Sequence, residues 1–409
     1  MSLLQKIVRW LAALAFVTTA VSILIFGVPL NLAQLIAVIL FFLFLAFRRL
    51  FFHLQVTLFL GVYLFISLII AYFNDFSYQN ILVSYLGLNL YAGVLNSVFK
   101  IHEGDIGKLI KMYINVAAFA AGLSIIQEIS YLNNYVAGYD FQWLFNGYAQ
   151  FTFSGPFLKA PSIFTEPGYF APFLIPASYL GLKSLIFDSG EVGKIKALVI
   201  ITGLILTFSF IGYFGFLVSI IILLRRNIVI GVGVAVLFAF YIALNSNSIV
   251  SRVDGIVDFF SGDYSISSNF SALVTILNYN LTIESFLIRP FFGAGIDGYE
   301  MMSQKIISAG FDSPVLNQLL KIASLDILMV KEGGNLFFRL LVEFGLVGVI
   351  GILVYLFVKL SSTNSTRHIQ FVCLIFLLTF GIRTGQYLRF EVWFFLMLYL
   401  KIKDDDVLV

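Results

Sequence analysis

The chain has 409 residues, 60% of them hydrophobic and only 11% charged, with a mean hydropathy of +0.98 and a formal charge of +3. A soluble domain carries about 25% charged residues, so this composition excludes one and points to a polytopic membrane protein. The small net charge, with no basic stretch interleaved with aromatics, excludes nucleic acid as a partner. The one cysteine, Cys373, lies in an apolar run and offers neither a disulfide nor a metal cluster.

A helix needs roughly 20 apolar residues to cross a bilayer. On that criterion the sequence predicts about twelve spans, at 10–27, 31–47, 55–73, 81–99, 109–130, 168–187, 197–210, 211–224, 228–244, 336–358, 369–383 and 387–400. The first reads as a retained membrane helix and not a cleaved signal. The seventh and eighth fit either a helical hairpin or one long tilted helix. The fold class is therefore all-α, with five regions: N-terminal transmembrane helices (1–130), an outer loop (131–167), central helices (168–244), a large and partly helical outer loop (245–335) and C-terminal helices (336–403). Within the large loop, 252–260 fits a surface helix and 267–288 a second helix. The acidic tail at 404–406 has no assigned role.

Orientation follows from lysine and arginine in the short loops. With both termini in the cytoplasm, sixteen of the 25 basic residues, and all three histidines (His53, His102, His368), fall on the cytoplasmic side. Of the nine left outside, Arg252, Arg289, Lys305, Lys321 and Lys331 belong to the long loop, where the rule does not count. Lys159, Arg339, Arg383 and Arg389 remain as exceptions that topology does not explain. An ionised guanidinium in or beside lipid costs several kcal/mol or more unless it is compensated, so Arg339 and Arg383 predict something anionic between the helices.

Three segments carry candidate chemistry. In Lys159-Ala-Pro161-Ser-Ile-Phe-Thr-Glu166-Pro167-Gly-Tyr-Phe-Ala171, Pro167 suits the first turn of a helix and Glu166 stands at its positive end. Glu166 reads either as a helix cap or as a carboxylate that binds or deprotonates a sugar hydroxyl. Arg339 has Glu343 one turn on and reads either as half of a buried ion pair or as an anion ligand. The glycines before Asn335 would let backbone approach a ligand. Arg383-Thr-Gly-Gln386-Tyr387-Leu-Arg389 reads as a short outer turn. Arg383 there is the best anion ligand, since arginine binds phosphate oxygens in bidentate fashion, and Arg389 fits interfacial snorkelling better than ligand binding. The glycines of Arg289-Pro290-Phe-Phe-Gly293-Ala-Gly295-Ile-Asp-Gly298-Tyr read as a tight loop turn, because no βαβ unit surrounds them. Gly345, Gly348 and Gly351 read as close helix packing. No P-loop, H-E-x-x-H, paired-aspartate metal site or Ser–His arrangement is present, so no metal or cofactor is expected.

These segments, in this order, resemble the Wzy family of oligosaccharide repeat-unit polymerases, within the O-antigen polymerase and ligase superfamily. The resemblance rests on 162–171 around Glu166-Pro167, 209–216, 289–299, 333–348 around Arg339 and Glu343, and the Arg383–Tyr387 stretch. It departs from the family at Lys159, where an arginine is common, and at 267–269, where no arginine follows the serines. The absence of an outer histidine argues against the ligase branch. The resemblance implies a GT-C-like helical fold in the bacterial inner membrane, without metal or nucleotide sugar. It implies glycosyl transfer between undecaprenyl-pyrophosphate-linked repeat units on the outer face, with membrane lipid, a flippase and a chain-length regulator as further partners. Glu166, Arg339 and Arg383 are then the expected catalytic residues, and Lys159, Arg289, Asn335, Tyr387 and Arg389 the expected substrate-binding ones. A ligase and an anionic lipid or solute transporter are the alternatives.

Overall fold

Two prolines inside one helix set the centre of the bundle. Helix α7 (Pro167–Phe187) carries Pro172 and Pro176, and a proline in a helix interior removes a hydrogen bond and pushes away the carbonyl four residues back. Here the opened turn is bridged from outside. The Tyr113 hydroxyl donates to the Phe173 carbonyl at 2.5 Å and accepts from the Ala177 amide at 3.2 Å. The computed structural model describes residues 3–18, 22–25, 28–74, 76–103, 105–141, 153–154, 156–187, 190, 192–224, 270–310, 333–360 and 364–402. The expected span 228–244, the surface helix 252–260, Lys331 and the 404–406 tail lie outside those residues.

In chain order the elements are α1 (Leu3–Val17), the hairpin β1 (Ser22–Ile25) and β2 (Val28–Asn31), α2 (Leu32–Ala46), α3 (Leu54–Asn74), α4 (Tyr78–Ile101), α5 (Ile106–Leu132), the single turn α6 (Val136–Tyr139) and the two-residue strands β3 (Phe153–Ser154) and β4 (Phe157–Leu158). After α7 come α8 (Lys194–Leu206), α9 (Phe210–Leu223), α10 (Phe270–Ile288), α11 (Gly298–Ala309), α12 (Leu336–Val358), α13 (Asn364–Arg383) and α14 (Phe390–Lys401). Helix α7 packs against α5, α8, α9 and α13, while α4 joins α3 to α14 and α10 lies along α12. The hydrophobic core runs through the whole set, with Phe16, Phe99, Tyr113, Phe173 and Phe394 closing its centre.

Among the described residues, six helices are long and apolar enough to cross a membrane: α3, α4, α5, α7, α12 and, over Thr366–Arg383, α13. Large apolar side chains such as Leu58, Val62 and Phe65 on α3 and Leu353, Val354 and Phe357 on α12 are exposed, as expected of surfaces that meet lipid and not water. The chain is thus a helical membrane protein.

Several expected spans differ. The run 10–27 does not form one helix: α1 stops at Val17 and the chain turns into an antiparallel hairpin pairing Ser22 with Asn31. The β-branched stretch from Thr18 and the proline at 29 both disfavour helix continuation. The seventh and eighth spans are two separate helices, parted at 207–209 where Phe208 takes a positive φ of 45°. Helices of 12 to 15 residues, such as α1, α2, α8, α9 and α14, reach only about 18–22 Å at 1.5 Å per residue, short of a roughly 30 Å core.

The largest departure concerns 289–298, which is no free loop turn. Helix α12 is broken at Gly345 (φ 62°, ψ −171°), and the chain from Pro290 to Gly295 lies in the break. The Ala294 and Gly295 amides donate to the Val342 and Glu343 carbonyls at 2.7 and 2.9 Å, and the Leu346 and Val347 amides donate to Pro290 and Phe291 at 2.9 and 3.0 Å. The Tyr63 hydroxyl covers the Phe344 carbonyl at 3.0 Å. Backbone polar groups freed within an apolar layer must find protein partners, and here they do. Glycine is needed on both sides of the contact: a Cβ on Gly345 would sit 2.5 Å from the Gly293 nitrogen, and one on Gly293 would sit 2.5 Å from the Glu343 carbonyl oxygen. Gly345 therefore serves a break and not helix packing. Gly348 does pack closely, against Tyr63, whereas Gly351 meets nothing within 4 Å.

Candidate active site

The residues that topology left unexplained gather at one end of the bundle, and all but Lys159 are brought there by a helix terminus. Glu166 immediately precedes α7, and its carbonyl accepts the first helical amides, from Tyr169 and Phe170, at 3.1 and 3.2 Å. The strap before it is pinned to α5. The Glu128 carboxylate accepts the Leu158 amide at 3.1 Å, and the Gln127 side chain accepts the Ser162 amide at 2.8 Å. Ser162 in turn donates to the Ala120 carbonyl at 2.6 Å, and the Ala160 amide reaches the Leu206 carbonyl at the end of α8. Lys159 rides half-buried on this strap.

Arg383 ends α13, and its guanidinium pairs with the Glu166 carboxylate. It also lies over the Tyr169 ring, 4.8 Å from the centroid. Arg389, just before α14, approaches the same ring at 4.7 Å, so one tyrosine meets two guanidiniums. Such contacts are favourable because the ring face is negative. Arg389 is also fixed by a 2.7 Å hydrogen bond from its Nε to Gln386, with its side chain only 14% exposed. It therefore folds inward, and the snorkelling expectation does not hold. Gly168 explains how Arg383 fits: a Cβ there would stand 2.3 Å from the arginine Nε.

Arg339 forms a second, sealed cluster. Its Nε donates to Glu343 at 2.7 Å, its Nη2 to Asp297 at 2.8 Å and to the Tyr387 hydroxyl at 3.1 Å, and its Nη1 to the Gly385 carbonyl at 3.4 Å. The Tyr387 hydroxyl donates onward to Glu343 at 2.9 Å, and its ring lies under the guanidinium at 4.0 Å. Glu343 has no exposed side-chain surface. Burial raises the Tyr387 hydroxyl well above the usual phenol range, and Tyr299 likewise, so both remain protonated donors. Of the two sequence readings of Arg339, this geometry is that of a buried ion pair, with two carboxylates around the cation.

Two other expected binding residues are placed differently. Asn335 caps α12, its side-chain oxygen accepting the Phe338 amide at 2.8 Å, and the glycines before it turn the chain against Tyr299 and Asn278 rather than against open space. Arg289 ends α10 next to the break in α12, half-buried among the exposed Leu287, Ile288, Phe291 and Phe292, and makes no ion pair with a described residue. It is not in hydrogen-bond contact with Arg383 or Arg339.

Sequence reasoning did not single out Asp297, Gly168 or Tyr169. Asp297 adopts a left-handed φ of 61° in the glycine-rich 293–298 stretch. Tyr169 lies three residues after Glu166, which on a helix places the two on one face and could have flagged it. Chemically, the two clusters differ in access. The Arg383–Glu166 pair is partly open, its side chains 23% and 44% exposed, against 9% and 0% for Arg339 and Glu343. An anion can compete for the first and not for the second. No known family matches this chain, and neither a curated protein nor a solved structure is found to be similar to it.

Proposed function

We propose that the chain is a membrane glycosyltransferase that joins undecaprenyl-pyrophosphate-linked oligosaccharide repeat units into a surface polysaccharide, as the resemblance to Wzy polymerases implies. The reaction would take place on the outer face of the bacterial inner membrane, with both termini cytoplasmic and about twelve membrane passes in a GT-C-like arrangement. The observation that carries this reading is the open Arg383–Glu166 pair, with Arg389 beside it on the Tyr169 ring.

The chemistry follows from exchanging partners in that pair. A lipid pyrophosphate takes the guanidinium of Arg383, where bidentate oxygens compete well with a carboxylate. Glu166, released from its cation, accepts the proton of the acceptor hydroxyl. The hydroxyl oxygen bonds to the anomeric carbon of the growing chain, and the bond from that carbon to the pyrophosphate oxygen breaks. Charge building on the departing pyrophosphate is met by Arg383, with Arg389 adjacent. The activated leaving group makes a nucleotide unnecessary. Arg339, already bonded to Asp297, Glu343, Tyr387 and Gly385, acts as the positioning residue that fixes the 384–389 turn between Arg383 and Arg389.

Glu166→Gln tests the base. It keeps the size of the side chain and an acceptor for Arg383 but removes the proton acceptor. General base catalysis is typically worth 10²–10⁴-fold, so polymer on a glycan gel should fall by that order at matched expression. Near-normal polymer would remove Glu166 from the chemistry. Orientation is tested separately by reporter fusions: those at Arg226 and Lys401 should read cytoplasmic and one at Ser308 outside. A cytoplasmic signal from Ser308 would place the pair on the wrong face for this substrate.

One observation favours a second reading, an anionic lipid transporter, because broken helices often form transporter sites. The break at Gly345 supports it less than the open pair supports a transferase, since the backbone groups freed there are already bonded by 290–295. Transport of lipid-linked glycan by purified protein in vesicles, without glycan growth, would favour the transporter.

A further inference from the structure

Far from the Arg383 cluster, at the opposite end of α5, a groove of about 540 Å³ opens between α1 and α5. Its walls are two stripes at helical spacing. Trp10, Leu14 and Val17 line it from α1, and Met112, Val116 and Phe119 from α5. Its mouth is cationic, with Arg9 on one wall and Lys108 and Lys111 on the other. Lys196 adds a further positive charge near the rim, donating to Asn115 at 2.7 Å. Asp105, just before α5, pairs with Lys108 at 2.7 Å, and Glu103 beside it pairs with Lys100 at 2.8 Å, so the Arg9 and Lys111 charges at the mouth are not offset by either pair.

The shape and the charge pattern together identify an occupant. From Arg9 to Val17 the groove descends about 12 Å, and from Lys108 to Phe119 about 16 Å, at 1.5 Å per residue. A soluble anion would use the mouth and leave this apolar length wet. An uncharged acyl chain would use the length and not the cationic mouth. A molecule with an anionic phosphate head and an apolar tail uses both, and basic pockets between membrane helices recognise such headgroups. Trp10, 75% exposed at the rim, suits the headgroup level where indole rings settle. We propose that this groove is a binding site for an anionic phospholipid, with its phosphate held by Arg9, Lys108 and Lys111 and one acyl chain lying between α1 and α5. This does not depend on the transferase reading, because none of these residues belongs to the Glu166–Arg383 cluster.

The test uses the full-length protein reconstituted in vesicles of equal phosphatidylglycerol and phosphatidylcholine, then released into mild detergent, with retained lipid counted by native mass spectrometry. Wild type should retain phosphatidylglycerol over phosphatidylcholine by about tenfold or more. The triple variant Arg9→Gln, Lys108→Gln, Lys111→Gln should lose that preference, whereas a charge-matched control, Arg48→Gln, Arg49→Gln, Lys359→Gln, should keep it. Ala13→Trp, which fills the groove and leaves the cations, should also lose the retained lipid. No preference in wild type, or an equal loss in the control, would overturn the proposal. Displacement of the lipid by millimolar inorganic phosphate, with unchanged phosphate binding in Ala13→Trp, would overturn it too, since the mouth alone would then be the site. Of the substituted cations only Arg9 is half-buried and the others are exposed, so a monodisperse elution profile is expected for both.

Discussion

Arg383→Ala is expected to abolish polymer while single repeat units remain on the cell surface. The guanidinium is partly exposed in its pair with Glu166, and it rests on the Tyr169 ring. Without it, charge on a departing pyrophosphate has lost its nearest cation, and removing one such donor typically costs 10²–10³-fold in rate. For a polymer built over many transfers, that loss erases long chains from a gel. Lysine should restore little, because it is a point charge without the planar fork. Gly168→Ala is a companion that leaves every charge in place. A Cβ there would lie 2.3 Å from the Arg383 Nε, so the guanidinium must leave its seat and polymer should fall with it. Normal polymer length from well-expressed Arg383→Ala protein would sink the assignment.

Arg339→Met is expected to fail earlier, at the level of folding. The substitution would leave Glu343, with no exposed surface, and Asp297 without the cation they share. Breaking a buried pair by removing one partner costs about 3–5 kcal/mol, a large share of the stability of a typical protein. Loss of folded protein in detergent, read by thermal unfolding and by yield, should therefore accompany loss of polymer. Arg339→Met combined with Glu343→Met should recover part of the yield, because it removes the fully buried carboxylate as well as the cation and leaves only Asp297, whose side chain is partly exposed. Polymer should stay absent if the 384–389 turn needs Arg339 to hold Tyr387. An Arg339→Met protein as stable as wild type would show that the guanidinium is not a structural tie, and would return it to the list of direct ligands.

The sequence by itself determined a good deal. A continuous helix satisfies its own backbone, so an apolar run of sufficient length announces a membrane helix without reference to anything distant; α3, α4, α5, α7 and α12 sit close to where their runs predict. Pro167 likewise opens α7 for a local reason, its fixed φ and missing amide. The unusual placement of Arg339 and Arg383 was legible because a charge in an apolar run is costly wherever the fold puts it. What tertiary structure decided is the identity of the partners. Arg339 shares Asp297 and Tyr387, and Arg383 takes Glu166, across 42 to 217 residues of chain. No periodicity encodes such a pairing. The same holds for the break in α12: Gly345 in an apolar run looks like a packing glycine, and Gly293 in a loop looks like a turn. Only when the two segments meet does each need to lack a Cβ, because the backbone groups freed at the break are bonded by a strand of chain about fifty residues away. Arg339 and Arg383 look alike in sequence, yet enclosure by two carboxylates makes one a tie within the protein, while the other, paired with a single carboxylate, stays partly open to solvent.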